Sequence, residues 1–333
     1  MYKIEKEQEY KVLYKNRKES KMSKLSVVIC THNPHEDFLS RTLDGMRAQT
    51  LAQNQWELIM VDNGSEIPIA QKFDLSWHPH SRHIREDELG LTAARLTGIS
   101  ESTGEIVVFV DDDNILAVDY LTNALDIAKN YLFLGAWGGS CVAEYEITPP
   151  IWFLDYEGNI AVRKVEEIIW SNQYFDYKAT PVGAGMCVRK SVADKYSERL
   201  KTDAQSQSLD RKGDSLMSCG DHDIAWTSIT MGLGMGVFPS LELIHIIPEF
   251  RLQKDYILRL LEGDACSSTI MRAKLLGEMP RCKPMSWRSK IKHLVRIVEK
   301  LILGRENSFH DQVASAKIRG SLRAIQILDS RFE

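Results

Sequence analysis

Three consecutive carboxylates, Asp111-Asp112-Asp113, stand immediately after the apolar run EIVVFV. Carboxylates so close repel one another and stay ionised together only beside a cation or several hydrogen-bond donors. In an extended backbone, residues two apart point the same way, so Asp111 and Asp113 face one crevice while Asp112 turns to a different partner. Oxygen donors of this kind suit Mg2+ or Mn2+, ions that bridge to phosphates. The alternative reading of the same residues is an acidic loop that caps the next helix, with Asp113 or Asn114 as the cap. A second acidic group, Gly220-Asp221-His222-Asp223, opens a helical pattern that glycine stops. Aspartates there favour the positive end of the helix, which also keeps them ionised.

The elements that must position these groups are legible around them. LSVVIC is a short apolar, β-branched run closed by Thr31-His32-Asn33-Pro34, and a helical pattern follows through Leu39, Leu43 and Met46. The unit recurs as WELIMV before Asp62-Asn63-Gly64-Ser65, and again as EIVVFV before the aspartate triplet and a helical stretch from Val118 to Asn130. Continuous apolar strands alternating with helices imply a Rossmann-like α/β fold, a mostly parallel sheet covered on both faces, with its ligand crevice beyond the carboxyl ends of the strands. Every polar loop falls at that edge. The rhythm is lost over 144–180, rich in Trp, Tyr, Pro and charged residues, which reads as an insertion over the sheet. A third region from Thr180 holds PVGAGMCVRK, a polar loop to Ser218, the second acidic group, and GVFPSLELIHIIP as strand and loop.

Composition narrows the class. The chain of 333 residues is 44% hydrophobic and 26% charged, ordinary for a globular protein with one large domain and additions. Its 46 acidic and 42 basic residues, net charge -4, provide no global field for nucleic acid or anionic lipid. Cys30, Cys141, Cys187, Cys219, Cys266 and Cys282 form no C-x-x-C pair and no regular spacing, so a reducing, cytoplasmic setting is the simpler expectation. Residues 1–24 are too charged for a secretion signal and read as an extension outside the catalytic fold, with Met1 or Met22 as the start. Residues 286–303 place Trp287, Ile291, Leu294, Val295, Val298, Leu301 and Ile302 at helical spacing, with Arg288, Lys290, Lys292, Arg296 and Lys300 largely elsewhere around the helix. Such a helix packs on its own domain, on a partner copy in a homo-oligomer, or peripherally on the inner face of a membrane.

SVVICTHN, WELIMVDNGS, the GLTAARLTG stretch, VVFVDDDN and GDHDIAW, in this order, resemble the family 2 glycosyltransferases of the GT-A fold, over roughly Leu25 to Pro248. The resemblance implies an inverting transfer of sugar from a nucleotide diphosphate donor, most often a uridine diphosphate sugar, to a hydroxyl of a glycan or glycolipid. It implies a nucleotide-sugar-binding half over 25–140 and an acceptor-binding half over 141–250; beyond the resemblance, 251–333 is expected to be a helical C-terminal region. The triplet resembles the family's D-x-D motif, which assigns Asp113 to a Mn2+ or Mg2+ ion and Asp111 and Asp112 to the nucleotide sugar, with Asp111 a further candidate ligand. Thr31, Asn33 and Asp62 fall where the family lines its nucleotide pocket, although turns use the same residue types everywhere. Arg95 resembles the arginine of G-x-x-x-A-R-N-x-G, with Leu96 where the family has asparagine.

Inversion requires one carboxylate to take the acceptor proton. Asp221 in GDHD resembles the second residue of E-D-x-[DE] and is the candidate base; Gly220 replaces the leading glutamate, which leaves Asp223 as rival. His245 lies where relatives carry a histidine near metal and diphosphate. Gly183-Ala184-Gly185 resembles the small-residue segment that admits donor sugar and acceptor, or else forms a tight turn. Trp152, Trp170, Tyr174 and Tyr177 either stack on acceptor sugars or pack. Two other classes fit less well: a nucleotidyltransferase, for which the glycine-rich lysine loop is missing, and a non-catalytic nucleotide-sugar-binding scaffold, against which the triplet and Asp221 argue.

Overall fold

The computed structural model describes residues 24–203, 210–211, 213, 215–277 and 308–329. The charged extension and the basic pattern over 286–303 therefore lie outside the described residues, apart from Lys24. Among the described residues, 24–146, 160–203 and Gly220–Ile247 form one compact unit, and Ile147–Asn159 with the described parts of 208–219 and 248–333 form another.

In the first unit each apolar run becomes a strand. β1 (Leu25–Thr31), β2 (Trp56–Asn63), β3 (Ser81–Glu86) and β4 (Ile106–Asp111) pair in parallel in the order β3-β2-β1-β4. All eight residues of β2 are buried, which explains why the run shows no alternation: both faces of the strand are covered. Helices α1 (Glu36–Arg47) and α2 (Leu91–Glu101) follow β1 and β3. Leu39, Leu43 and Met46 of α1 enter the core beside Leu25, Val27 and Ile29.

β5 (Asn114–Leu116) and α3 (Tyr120–Asn130) come next, then β6 (Leu134–Tyr145), the short β7 (Ile169–Ser171) and β8 (Cys187–Arg189), helices α4 (Lys190–Leu200) and α5 (Gly220–Thr230), and the long β9 (Gly234–Ile247). β8 joins β4 to β6 by antiparallel pairing on both sides, so β6 and its parallel neighbour β9 continue in the direction of β4. β5 and β7 both pair antiparallel to β9, β5 near its end and β7 near its start. The result is the expected α/β architecture of GT-A type, a mostly parallel sheet between helices. The region 144–180 is less uniform than an insertion over the sheet: Ile147–Asn159 belong to the second unit, whereas Glu144 and Tyr145 end β6 and β7 extends the sheet itself.

Four residues of β9, Phe238 to Leu241, stand opposite Gly139 alone in β6. Pro239 lies in this irregular stretch, where a missing N–H costs no ladder bond. A side chain at 139 is excluded, since a Cβ there would lie 1.9 Å from the Leu241 carbonyl oxygen.

At the amino edge of the sheet the buried Glu57 carboxylate binds three strands together. Oε1 accepts from Ser26 Oγ at 2.6 Å and from the N–H and hydroxyl of Thr103 at 2.7 and 2.8 Å; Oε2 accepts from Arg82 Nη1 at 2.8 Å. Burial alone would raise the pKa of Glu57, but these donors outweigh it and hold the group below the usual carboxylate value.

The second unit contains α6 (Lys254–Leu276) and α7 (Phe309–Asp329). Ala316, Gly320 and Ala324 form a small-residue stripe on α7, and the backbones approach closely enough that a Cβ at Gly320 would lie 2.1 Å from the Glu262 carbonyl oxygen. Trp152 packs here edge-on against Phe309, 4.8 Å between centroids. No helix among the described residues is long and apolar enough to cross a membrane.

Candidate active site

The loops at the carboxyl edge are tied to one another before any ligand is considered. His32 Nδ1 lies 2.6 Å from the Asn63 carbonyl, the Asn33 N–H donates to Ser65 Oγ at 3.0 Å, and Asn33 Oδ1 accepts the Glu66 N–H at 2.9 Å. Asn33 has φ +46, a left-handed conformation that Asn tolerates better than most residues. Asn63 reaches the next loop: Oδ1 accepts the Gly90 N–H at 2.8 Å and Nδ2 donates to the Glu86 and Glu88 carbonyls. The sequence reading used Asn63 only as a turn residue. Its burial and its bonds across three loops make it the peg between the ends of β2 and β3 and the start of α2.

Asp62 organises the loop after β2. Oδ1 accepts the Ser65 N–H at 2.9 Å, while Oδ2 accepts the Ile69 N–H at 3.1 Å and Arg85 Nη1 at 2.7 Å. Burial pushes its pKa up, but Ser65, Arg85 and Ile69 together lower it below the ordinary carboxylate value. Beside this loop lies a cavity of about 290 Å3 whose walls include Asn33, Ser65, Ile69 and Lys72.

The aspartate triplet does not continue as extended chain. β4 ends at Asp111 and β5 begins at Asn114, so Asp112 and Asp113 form a turn and alternation no longer governs them. Asn114 holds the turn: its Oδ1 accepts the Asp111 N–H at 3.2 Å and its Nδ2 donates to Asp113 Oδ1 at 2.9 Å. Asp112 Oδ2 accepts the Thr31 hydroxyl. The helix-capping alternative fails on position, because α3 starts at Tyr120 and its cap is Asp119.

Asp113 is instead placed by β9. Its carbonyl accepts the Ile246 N–H at 2.9 Å, Asn114 pairs with His245 across the antiparallel ladder, and His245 Nε2 lies 3.4 Å from Asp113 Oδ2. Both side chains are buried. One carboxylate and one imidazole form a mixed oxygen and nitrogen donor pair compatible with Mn2+. No group of three or more His, Cys, Asp and Glu side chains suited to a metal occurs among the described residues. The carboxylate would suit Mg2+ or Mn2+ and the imidazole only the softer Mn2+, and either ion would need further donors from a ligand or solvent.

Gly183, Ala184 and Gly185 divide between core and crevice. The Gly185 carbonyl accepts the Tyr120 hydroxyl at 2.7 Å, and Gly185 has φ +71. Burial pushes that phenol well above its usual pKa. A Cβ at Gly183 would meet Arg95 Nη2 at 2.7 Å and Asp221 Cβ at 3.4 Å. A side chain there would displace the Arg95 guanidinium, which shares the Gly183 backbone with the Asp221 carboxylate. Ala184 contacts the other side, its carbonyl 4.0 Å from Cys141 Sγ. Burial pushes the Cys141 thiol up to about 12; Arg163 opposes this, and Asp111 and Asp113 add to it.

Asp221 lies in the first turn of α5. Its Oδ1 accepts the His222 N–H at 2.8 Å and its Oδ2 the Gly183 N–H at 3.0 Å. Arg95 is buried on α2, 5.8 Å above the Phe109 ring, and one turn earlier the buried Thr92 hydroxyl has no hydrogen-bond partner. Asp223 has a different environment. It is buried against Arg199, with 2.6 Å between Nη2 and Oδ1. Arg199 and Arg163 carried no signal in the sequence, because their partners are remote along the chain.

The description "Glycosyl transferase family 2" belongs to a family model that matches residues 26–194. The match runs from β1 into α4, so Asp221 and His245 lie beyond it. Glycosyltransferase AglE of Haloferax volcanii is 34% identical over 92 residues, 27% of this chain and 30% of that protein. Glucosyl-dolichyl phosphate glucuronosyltransferase of the same organism is 28% identical over 138 residues, 39% of this chain and 42% of that protein. The matched segment thus spans less than half of either relative. A crystal structure of Staphylococcus aureus TarS 1-349 in complex with UDP aligns over 73% of this chain and 65% of that one, at 14% identity and a TM-score of 0.45.

Proposed function

Because this chain belongs to glycosyl transferase family 2, we propose that it moves a sugar from a nucleoside diphosphate, uridine diphosphate first among them, to a hydroxyl of a glycan or glycolipid with inversion at the anomeric carbon. The observation that carries the reading is the meeting of Asp221, Gly183 and Arg95. A carboxylate held by two backbone N–H groups stands across a residue without side chain from a buried guanidinium.

In this reading Asp221 takes the proton of the acceptor hydroxyl while the hydroxyl oxygen bonds to the anomeric carbon and the bond from that carbon to the diphosphate oxygen breaks on the opposite face. The two backbone donors fix the carboxylate and leave its remaining lone pairs for the acceptor. Asp223 keeps its Arg199 partner and stabilises α5, so the assignment of base goes to Asp221. Arg95 and the Thr92 hydroxyl donate to the nucleotide or its phosphates. Thr31, Asn33, Asp62, Asp111 and Asp112 shape the nucleotide pocket, and Gly183, Ala184 and Gly185 the floor under the transferred sugar. Asp113 and His245, with Asp111 as an additional candidate, would hold Mn2+ or Mg2+. When bound, that ion supplies Lewis-acid stabilisation of the departing diphosphate.

Calorimetric titration with UDP, GDP, CDP and dTDP, each with Mn2+ and with chelator, tests the donor half of the proposal. Wild type is expected to bind one nucleotide tightly only with Mn2+, and Asp113→Ala to lose that dependence. Absence of binding by folded wild type for all four nucleotides overturns it.

A further inference from the structure

The aromatic residues between 170 and 177 have separate surroundings. Trp170 stands against Phe133 at 4.9 Å, at an exposed corner of β7. Tyr174 and Phe175 close on the buried Trp226, at 6.2 and 4.9 Å. Tyr177 is 52% exposed, and its ring stands 5.4 Å from His222 and 5.9 Å from Trp226. His222 lies almost flat on Trp226, with centroids 5.4 Å apart and planes inclined by 17°. His222 also follows Asp221 directly and supplies the N–H on its Oδ1. An open aromatic ring therefore stands against the neighbour of the assigned base.

The backbone under that ring is braced. The Asp176 carbonyl accepts the N–H groups of Ala179 and Thr180 and the Thr180 hydroxyl. Arg163 clamps the Lys178 and Thr180 carbonyls at 2.9 and 2.8 Å, and Trp226 Nε1 donates to Thr180 Oγ1 at 3.1 Å. Phe175 holds φ +65, a conformation costly for an aromatic residue that persists only where the surroundings impose it. A ring on such a backbone loses little freedom when a ligand covers it.

The chemistry of the wall selects its occupant. An aromatic face is electron-rich and attracts polarised C–H groups, while the adjoining imidazole and carboxylate accept or donate hydrogen bonds. A pyranose matches both, with C–H groups on one face and hydroxyls around its rim. We propose that Tyr177, backed by the His222–Trp226 stack, is an acceptor subsite that binds a pyranose ring by its apolar face and turns a ring hydroxyl toward Asp221. This rests on the reading of Asp221 as the base, and it makes the acceptor a saccharide rather than a lipid alcohol.

Saturation-transfer NMR tests the subsite, with methyl β-D-glucopyranoside, methyl β-D-galactopyranoside and methyl N-acetyl-β-D-glucosaminide as probes and glycerol as a hydroxyl-rich control without a ring. Wild type with UDP and Mn2+ is expected to transfer saturation to the ring C–H protons of at least one pyranoside and not to glycerol. Tyr177→Phe keeps that affinity, whereas Tyr177→Leu, apolar but not aromatic, weakens it by about three- to tenfold. Absence of all three pyranosides from the wild-type surface, or equal binding by the Leu variant, overturns the subsite. UDP titration of the same samples separates the two ideas. UDP bound without Tyr177-dependent pyranoside binding sinks the subsite alone, and Tyr177-dependent binding in protein that ignores UDP supports the subsite while removing the donor reading.

Discussion

The Glu57 carboxylate at the amino edge of the sheet and the aspartate triplet at its carboxyl edge have opposite surroundings. At the amino edge Glu57 receives two hydroxyls, a backbone N–H and a guanidinium, from residues on β1, β3 and the loop before β4. At the carboxyl edge Asp111 ends β4, Asp112 and Asp113 turn the chain, and Asp113 meets an imidazole. One end distributes donors around a single charge; the other collects like charges where a cation could join them. Asp62, also at the carboxyl edge, shares the donor-rich surroundings of Glu57, so the contrast is between a satisfied single charge and a cluster of like charges, not between the two edges as wholes.

That contrast can be broken by mutation. The largest effect is expected from Asp221→Asn, which keeps the shape of the side chain and removes the base. Its kcat should fall by about 10^2- to 10^4-fold, with nucleotide affinity by calorimetry almost unchanged; equal losses in both would mean that Asp221 serves donor binding. Asp113→Asn should remove Mn2+-dependent UDP binding yet leave urea stability of the metal-free protein unchanged or increased, since it thins a cluster of like charges.

Glu57→Gln should do the reverse. We expect a stability loss of about 2 kcal/mol in urea unfolding, below the cost of breaking a fully buried ion pair because Arg82 is 34% exposed, and normal UDP affinity in the folded fraction. If Asp113→Asn destabilised the metal-free chain as much as Glu57→Gln, the distinction between the single charge and the cluster would fail.

The smallest effect concerns His78, packed 4.0 Å from the Trp56 ring at the amino end of β2. Burial first, and the neighbouring His80 second, lower its pKa from 6.5 to about 4. Between those values the unfolded chain binds the proton and the folded chain does not, so stability falls as pH drops from 6.5 and the loss levels off below 4. His78→Gln should flatten that part of a urea-midpoint profile; an unchanged slope would assign it to other groups.

The parallel half of the fold was legible because β1, β2 and β4 are buried on both faces and write themselves as unbroken apolar runs. The acidic loops were legible for the same reason, being abrupt polar endings to those runs. Glu57 was not, since one acid inside WELIMV carries no trace of Ser26, Arg82 and Thr103, which reach it only after the strands pair. β7 was hidden by its three-residue length and by the irregular chain around it. The turn of Asp112 and Asp113 was misjudged as extended chain because local alternation cannot anticipate a strand that stops at Asp111. Tyr177 was legible as an aromatic residue in an irregular segment, but its nearness to His222 required the tertiary structure.

The surplus residues of β9 opposite Gly139 act as a phase shift in the ladder. Ser140 pairs with Glu242 and Ala143 with His245 only because the extra residues have been absorbed upstream. A slip by one position would turn His245 to the opposite face of the sheet and bring a hydrocarbon neighbour to Asp113. The register of β9 against β6 is thus reset opposite a glycine, whereas Asp113 and His245 meet through the pairing of β5 with the other edge of the same strand, so a methyl group at 139 would disturb a strand that both neighbours share.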